Sequence, residues 1–535
     1  MTPGGTLPLH APHLRGTGRV RPAGLPLGRF QEKLWPMRKL LLGLAFVVTG
    51  ACGDNTSDDA PPGEEPPEVT PECHHVMGNV DTFNKPEAFQ SIVRGTLAGW
   101  DPDGRWFLTG TRVGGVSSFH FERHGLQVIV DRDPTFPGTI DDDQLFQRGS
   151  YQSTQGDPYT IARRVSNLKS DGTARGERAV CFADGCTVCT AKLERATHNA
   201  GEGEGDHLTL ASVLKGATWG PGYTFNVRVL GTIAYLIRQD GLHMIETADP
   251  DHPVELGTWK RAGDGYSNDV KLVEANGKRY ALIADYPVDI VDVTDPTMAR
   301  LVAQIPVEAH TLFTESRNAH IYAYFGAYDG TCPVFDITNP EAPSRLGAWN
   351  ANASIVHDLM IDNGIAYLNA WEGGLQVVDF TNPALPTLLG KWPKTPTATS
   401  HSSWAYTAGG RKLALHGEEA YAAHLDIVDV DKTSPTFMAS IATFKTRDWV
   451  SIHNVMVVGG RAYMSYYQDG IRVLDIATPT APKQLGYYNT WDPQAAYTTS
   501  GFFEGAVGID VDLARKLIFV ADSPRGLLIL RDQTF

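Results

Sequence analysis

The sequence predicts an all-β protein: a seven-bladed β-propeller, or six blades if the ring closes differently, preceded by a small β-sandwich or barrel module. Three observations predict it. A strand-closing acid recurs at Glu246, Asp292, Asp336, Asp379, Asp429 and Asp475, at intervals of 46, 44, 43, 50 and 46 residues, and a period of that length is what a four-stranded blade requires. Within each unit, apolar and polar residues alternate over short runs broken by Asn-Gly, Gly-Gly or Asp-Gly, the pattern of strands joined as hairpins. The chain is also rich in turn formers, with 54 Gly and 34 Pro among 535 residues, as a fold of many short strands demands.

The first element along the chain is an address rather than a fold. Residues 1–51 hold seven Lys/Arg and one acid, and "MRKLLLGLAFVVTGAC" (37–52) has two positive charges, an apolar run, small residues and then Cys52. This is signal-peptide grammar, and the apolar run is shorter than the ~20 residues a spanning helix needs. Its ending resembles a bacterial lipobox, in which the cysteine is lipidated and becomes the mature N-terminus; Thr49 is a less usual residue at the apolar position. The competing reading is an ordinary cleaved signal with a coincidental cysteine. Met37 is the expected true start, and Gly53 after the cysteine, rather than Asp, points to the outer membrane if the host has two. Residues 52–72 are acidic and Pro-rich with little to bury, and read as a disordered tether. The whole chain carries a net charge of −15, and more once the basic leader is gone, which argues against binding nucleic acid or anionic lipid through its general field.

Next comes the non-repeating module, 73–205. "GRWFLTGTR", "VSSFHFER", "GLQVIVDR" and "DQLFQRGSYQ" alternate like antiparallel strands between Gly, Pro and Asp clusters. Cys73, Cys181, Cys186 and Cys189 all fall here. In an exported chain they read as two disulfides, with three connectivities open. A zinc site built from them with His74 or His75 is the alternative, although a spacing of four then two is not a usual finger pattern. "GEGEG" (201–205) is a flexible linker.

The repeats occupy 206–535. "GLHMIETADPDHPVELGTW", "VDIVDVTDP", "CPVFDITNPEAPSRLGAW", "GLQVVDFTNPALPTLLGKW", "LDIVDVDKTSPTFMASI" and "GIRVLDIATPTAPKQLGYY" share one design. Strand a follows a His or Asn, b carries an aromatic, c is apolar on both faces, and d is of the "LLGKW" type. The acid and the Asp-Pro or Asn-Pro step between c and d are turn chemistry: the carboxylate caps backbone N–H groups and proline presets φ. The last copy supplies a, b and c but no d, whereas "HLTLASVLKG" (207–216) is a d strand without a blade. Pairing the two closes a seventh blade and removes both open edges. Cys332 falls alone on a core strand and reads as an inert buried thiol.

These units resemble the LVIVD repeat. From about residue 350 the ordered set "SHSSWAYTAGGRKLAL", "IHNVMVVGGRAYMSYYQDGIRVLD" and "FFEGAVGIDV" is similar to the choice-of-anchor B family of secreted, variably anchored bacterial propellers. The resemblance implies an extracytoplasmic β-propeller and brings no established reaction with it. Val507 departs from the pattern, standing where that family has an aromatic.

Candidate chemistry gathers at one end of the ring. His310, His357, His401 and His453 open strand a of successive blades, with Asn268 in the equivalent place of blade two. The b–c loops emerge on the same face and hold Asp285, Tyr328, Asp329, Trp371, Glu372, Glu418, Glu419, Tyr466 and Asp469. Imidazoles with carboxylates such as Glu418 suit a divalent metal or a polar ligand. The plainer reading is that a residue repeated at a repeated place is frame, tying blade to blade. No nucleophile elbow, HExxH or phosphate-binding glycine loop is present in the sequence. The expectation is therefore a cell-envelope lipoprotein whose propeller is a non-catalytic platform, offering its channel mouth to a protein or glycan partner. A metal-dependent hydrolase or oxidase using the histidine–acid cluster is the alternative, and a third possibility puts specificity in the 73–205 module.

Overall fold

The computed structural model describes residues 66–535 apart from positions 67, 92, 94, 110–117, 132, 154–155, 217–218, 221, 262–266, 394–398, 421–422, 494 and 496–503. The leader, Cys52 and most of the tether lie outside the described residues. Among those described, no helix is long and apolar enough to cross a membrane.

Among the described residues, nine strands build the N-terminal module: β1 (Glu72–Val76), β2 (Gly104–Thr109), β3 (Ser118–His124), β4 (Gln127–Val130), β5 (Asp133–Ile140), β6 (Gln144–Gln152), β7 (Pro158–Ser166), β8 (Ala174–Phe182) and β9 (Gly185–Arg195). Strands β2 to β9 pair in chain order and β9 returns to β2, so eight strands close on themselves as a barrel rather than a sandwich. Closure removes edges that would otherwise invite pairing with another chain. Alternate residues fill the interior, among them Trp106, Leu108, Phe119, Phe121, Val128 and Leu193.

β9 is long enough that β1 lies along the rest of the edge it shares with β2, with Cys73 opposite Cys189. That register joins Cys73 to Cys189, while Cys181 bonds Cys186 across the β8–β9 hairpin. All four sulfurs are consumed, so the zinc alternative with His74 or His75 has no thiolate ligands.

Behind the module stand seven sheets, each ordered a-b-c-d. Strand a runs over Thr224–Leu230, Asp269–Ala275, Ala309–Arg317, Asp358–Asp362, Ser400–Ala408, Val455–Val458 and Ala506–Asp512 in blades one to seven. The seventh blade takes its a, b and c strands from the C-terminus and its d strand, Leu208–Leu214, from the start of the repeat region, paired with Gly526–Asp532. The ring thus closes as the sequence predicts. A short strand, Gly205–Asp206, also adds to the outer edge of blade six.

The strand-closing acids are turn caps. Asp336, Asp379 and Asp475 each accept the backbone N–H two residues on, at 2.8 Å, which fixes the c–d turn at the end of the ring away from the histidines. The "LG" of strand d has a packing reason. A Cβ on Gly257 or Gly347 would stand 2.4 Å from the carbonyl of Pro296 or Pro383 respectively, in the next blade's c–d turn, so only glycine lets adjacent blades approach there. Cys332 is buried on strand c of blade three and is not disulfide-bonded; burial raises its thiol pKa, which keeps it inert.

Candidate functional site

Position by position, the start of strand a places one side chain per blade around the channel mouth: Phe225, Asn268, His310, His357, His401, His453 and Val507. In blades one, three, five and seven the a–b ladder skips that residue. Such a bulge re-aims the extra side chain out of the sheet. In blades four and six the histidine precedes the strand and is held by its own backbone, His357 N–H to Asn369 O at 2.8 Å and His453 N–H to Ser465 O at 2.9 Å.

The four imidazoles form a continuous arc. Ring centroids are 4.0 Å apart for His310–His357, 4.2 Å for His357–His401 and 4.4 Å for His401–His453. Trp371 stacks on His357 at 4.5 Å. At one end the Tyr328 hydroxyl lies 2.8 Å from His310 Nδ1, with the Asn268 amide donating to that hydroxyl at 3.1 Å. At the other end His453 meets Tyr467 at 4.9 Å.

Hydrogen bonds assign the tautomers. His401 Nδ1 lies 3.1 Å from the His453 carbonyl, and His453 Nδ1 2.8 Å from the Val507 carbonyl. A carbonyl only accepts, so both Nδ1 atoms carry hydrogen, and in the neutral ring Nε2 is left as a lone pair. Each bond reaches the next blade, which is the frame role. His401 Nε2 is buried without a hydrogen-bond partner, and so is His357 Nδ1. Glu419 Oε2 stands 3.7 Å from His401 Nε2, while its other oxygen accepts the Tyr467 hydroxyl.

Burial, reinforced by the neighbouring imidazoles, holds His357 and His401 well below the ordinary histidine pKa. It also takes His453 down to about 4 against the opposing bond to Val507, and pushes Glu419 up to about 7 against the bond from Tyr467. At neutral pH the His401–Glu419 contact therefore joins a neutral ring to a carboxyl, not two charges. His357, His401 and Glu419 offer ligand atoms that all lie within 4.8 Å of one another.

Other candidates are engaged elsewhere. Glu418 is the buried last residue of strand b in blade five, and it is its neighbour Glu419 whose carboxyl joins the imidazoles. Asp285 pairs with Arg261 at 3.1 Å, Asp329 caps Thr331, Glu372 holds Ser354, and Asp469 takes Arg447 at 2.5 Å. The Tyr466 hydroxyl lies 3.0 Å from His424 Nδ1. A Ser–His pair that sequence reading missed lies nearby, Ser400 Oγ to His416 Nε2 at 2.8 Å. His416 Nδ1 has no partner, so no acid orients the ring as a nucleophile's base requires.

A second feature was invisible in the sequence. The barrel docks on the segments joining d of one blade to a of the next, at the histidine end of the ring. Arg105 of β2 meets Glu504 at 3.0 Å with both side chains 1% exposed, and the Trp491 indole donates to the same carboxylate at 3.0 Å. Phe107 stacks on Trp491 at 5.7 Å, and Arg472 pairs with Glu202 at 2.8 Å. Beside this weld opens a cleft of about 1010 Å³, lined by Trp106, Arg195, His198, Lys445, Arg447 and Trp449 among others.

Comparison with known families matches the LVIVD repeat at residues 355–392 and 451–490, which are blades four and six. Comparison with the curated proteins returned no match. Among solved structures, the computationally designed Ika8 protein is similar at 11% identity over 73% of this chain and 94% of that one, with a TM-score of 0.37.

Proposed function

We propose that this LVIVD-repeat propeller is a non-catalytic binding platform, exported and held at the cell envelope by lipid on Cys52, and that a protein or glycan partner seats in the cleft between barrel and ring. One observation carries the reading. The cleft's two walls come from the barrel and the ring and are held together by a buried ion pair and an aromatic stack. Walls fixed before binding lower the ordering cost of association. Their lining also sets the aromatic faces of Trp106 and Trp449 beside Arg195 and Arg447, the residue types enriched where a few contacts dominate affinity. The two disulfides support an oxidising compartment.

Two experiments test it. Trp449→Ala in the full chain is expected to weaken binding to an envelope-glycan array or a peptide library at least tenfold with the fold retained; unchanged binding sinks the cleft. Cys52→Ala is expected to abolish labelling by an alkyne fatty acid and move the protein to the soluble fraction; a variant that still labels and sediments with membranes removes the anchor.

The metal-dependent alternative, a hydrolase or oxidase, draws on a different observation, the paired imidazoles beside Glu419. It is tested by hydrolytic and oxidative substrate panels with and without added zinc, and no metal-dependent turnover on either panel sinks it.

A further inference from the structure

The structure assigns a second site, independent of the cleft: we propose that His357, His401 and Glu419 bind one divalent transition metal of the zinc class at the channel mouth, stapling blade four to blade five. Three observations carry it. The donors are two imidazole nitrogens and a carboxylate oxygen, a set that suits zinc and its neighbours rather than calcium or magnesium. Their spacing is close to what such an ion needs. Bonds of about 2.0–2.2 Å in tetrahedral array put ligand atoms roughly 3.4 Å apart. His401 Nε2 and Glu419 Oε2 are 3.7 Å apart, and the set of three lies within 4.8 Å.

The third observation is that the site is built. His401 is 2% exposed, and its Nε2 has no hydrogen-bond partner. A buried nitrogen lone pair without a donor costs free energy unless something binds it. The outer partners are those metal-binding residues use: the His401 Nδ1–H bond to the His453 carbonyl fixes tautomer and ring plane, and the Tyr467 hydroxyl holds Glu419 by its other oxygen. His453 is thus a positioning residue, acting through its backbone.

The test uses the full folded chain with disulfides intact, stripped with a chelator and titrated with Co²⁺ and then Zn²⁺. The expected result is one Co²⁺ per chain with the visible absorption of a four-coordinate ion, displaced by one Zn²⁺, and a melting temperature that rises with zinc as linkage requires. Glu419→Gln and His401→Ala should each weaken binding at least tenfold, while His252→Ala, an exposed histidine, should not. If His401→Ala fails to fold, Glu419→Gln decides alone. Overturning results are no stoichiometric Co²⁺ spectrum, or a spectrum that survives Glu419→Gln. Trp449→Ala should leave the titration unchanged, so failure of the cleft and failure of the metal site are read separately.

Discussion

The weld between barrel and ring yields the sharpest prediction. Arg105 and Glu504 are each 1% exposed and 3.0 Å apart. Glu504→Ala leaves a guanidinium in a site walled by Phe107 and Trp491, where Arg105 also lies over the Trp491 ring at 5.6 Å. Removing one partner of a buried ion pair costs about 3–5 kcal/mol. The Trp491 indole loses its acceptor in the same change. Replacing both partners with apolar residues of similar volume, Arg105→Met with Glu504→Leu, removes charge and counter-charge together and leaves only the Trp491 indole without its acceptor, an expected cost of about 1–3 kcal/mol. The signature is therefore inverted additivity, with the double variant more stable than the single one. Urea unfolding followed by tryptophan fluorescence reads both, and calorimetry adds a second view. If the weld couples the two units, Glu504→Ala should split one transition into two. A single variant costing under about 1 kcal/mol, or a double variant as unstable as the single, would refute the claim that this pair is desolvated and couples the units.

Other predictions concern the frame. Gly460 and Gly470 both have positive φ, +77° and +68°, but a Cβ meets nothing within 4 Å at Gly460 and lies 2.1 Å from the Tyr488 carbonyl at Gly470. Gly460→Ala should thus cost about 1–2 kcal/mol for the left-handed backbone, with Gly470→Ala costing at least about 2 kcal/mol more for the clash; equal losses in chemical denaturation would contradict this. Cys73–Cys189 spans 116 residues and Cys181–Cys186 only 5, so loop-closure entropy predicts a loss of roughly 5 kcal/mol for the first pair changed to serine and roughly 2 for the second. The reverse order would show that strain or residual structure dominates. Burial pushes Asp522 up to about 6, so above the ordinary aspartate range the native state keeps a proton that the unfolded chain has released. Its contribution to stability is whole below about pH 4, falls as pH rises to about 6 and is then flat, a span of roughly 3 kcal/mol. Asp522→Asn should remove that slope, and a stability difference between the two proteins that is constant from pH 4 to 7 would rule it out.

Which features the sequence discloses follows from the range of the forces behind them. Blade period, hairpin glycines and the turn-capping acids act over a few residues, so they are written locally; ring closure by 207–216 follows from matching a missing strand to a spare one. Cys181–Cys186 is local, closing one hairpin, but the pairing of Cys73 is not. It depends on the register of β1 along β9, which puts Cys73 opposite Cys189, and four cysteines alone leave three pairings open. The choice between Glu418 and Glu419 turns on where one strand stops, because successive side chains point to opposite faces. Strand b of blade five ends at Glu418, and that single position decides which carboxyl reaches His401. The cleft has no sequence signature, since Trp449 and Arg195 come together only when the barrel packs against the ring.

The histidine arc shows why "frame or chemistry" is a false opposition for an imidazole. A residue repeated at a repeated place is expected to be structural, and His401 and His453 are: each spends Nδ1 on the next blade's carbonyl. That bond also sets the other nitrogen. Once Nδ1 carries the hydrogen, Nε2 of a neutral ring can only accept. The chain of ties runs from His401 to His453 to Val507 and ends there, because Val507 supplies a carbonyl but no imidazole to pass the tie on. Blade seven's departure from the repeat thereby limits the arc, and the other end is closed by Asn268 and Tyr328. Between those stops lies a buried row of rings, and the frame itself fixes the lone pair of His401 toward Glu419, the carboxyl best placed to share an ion with it.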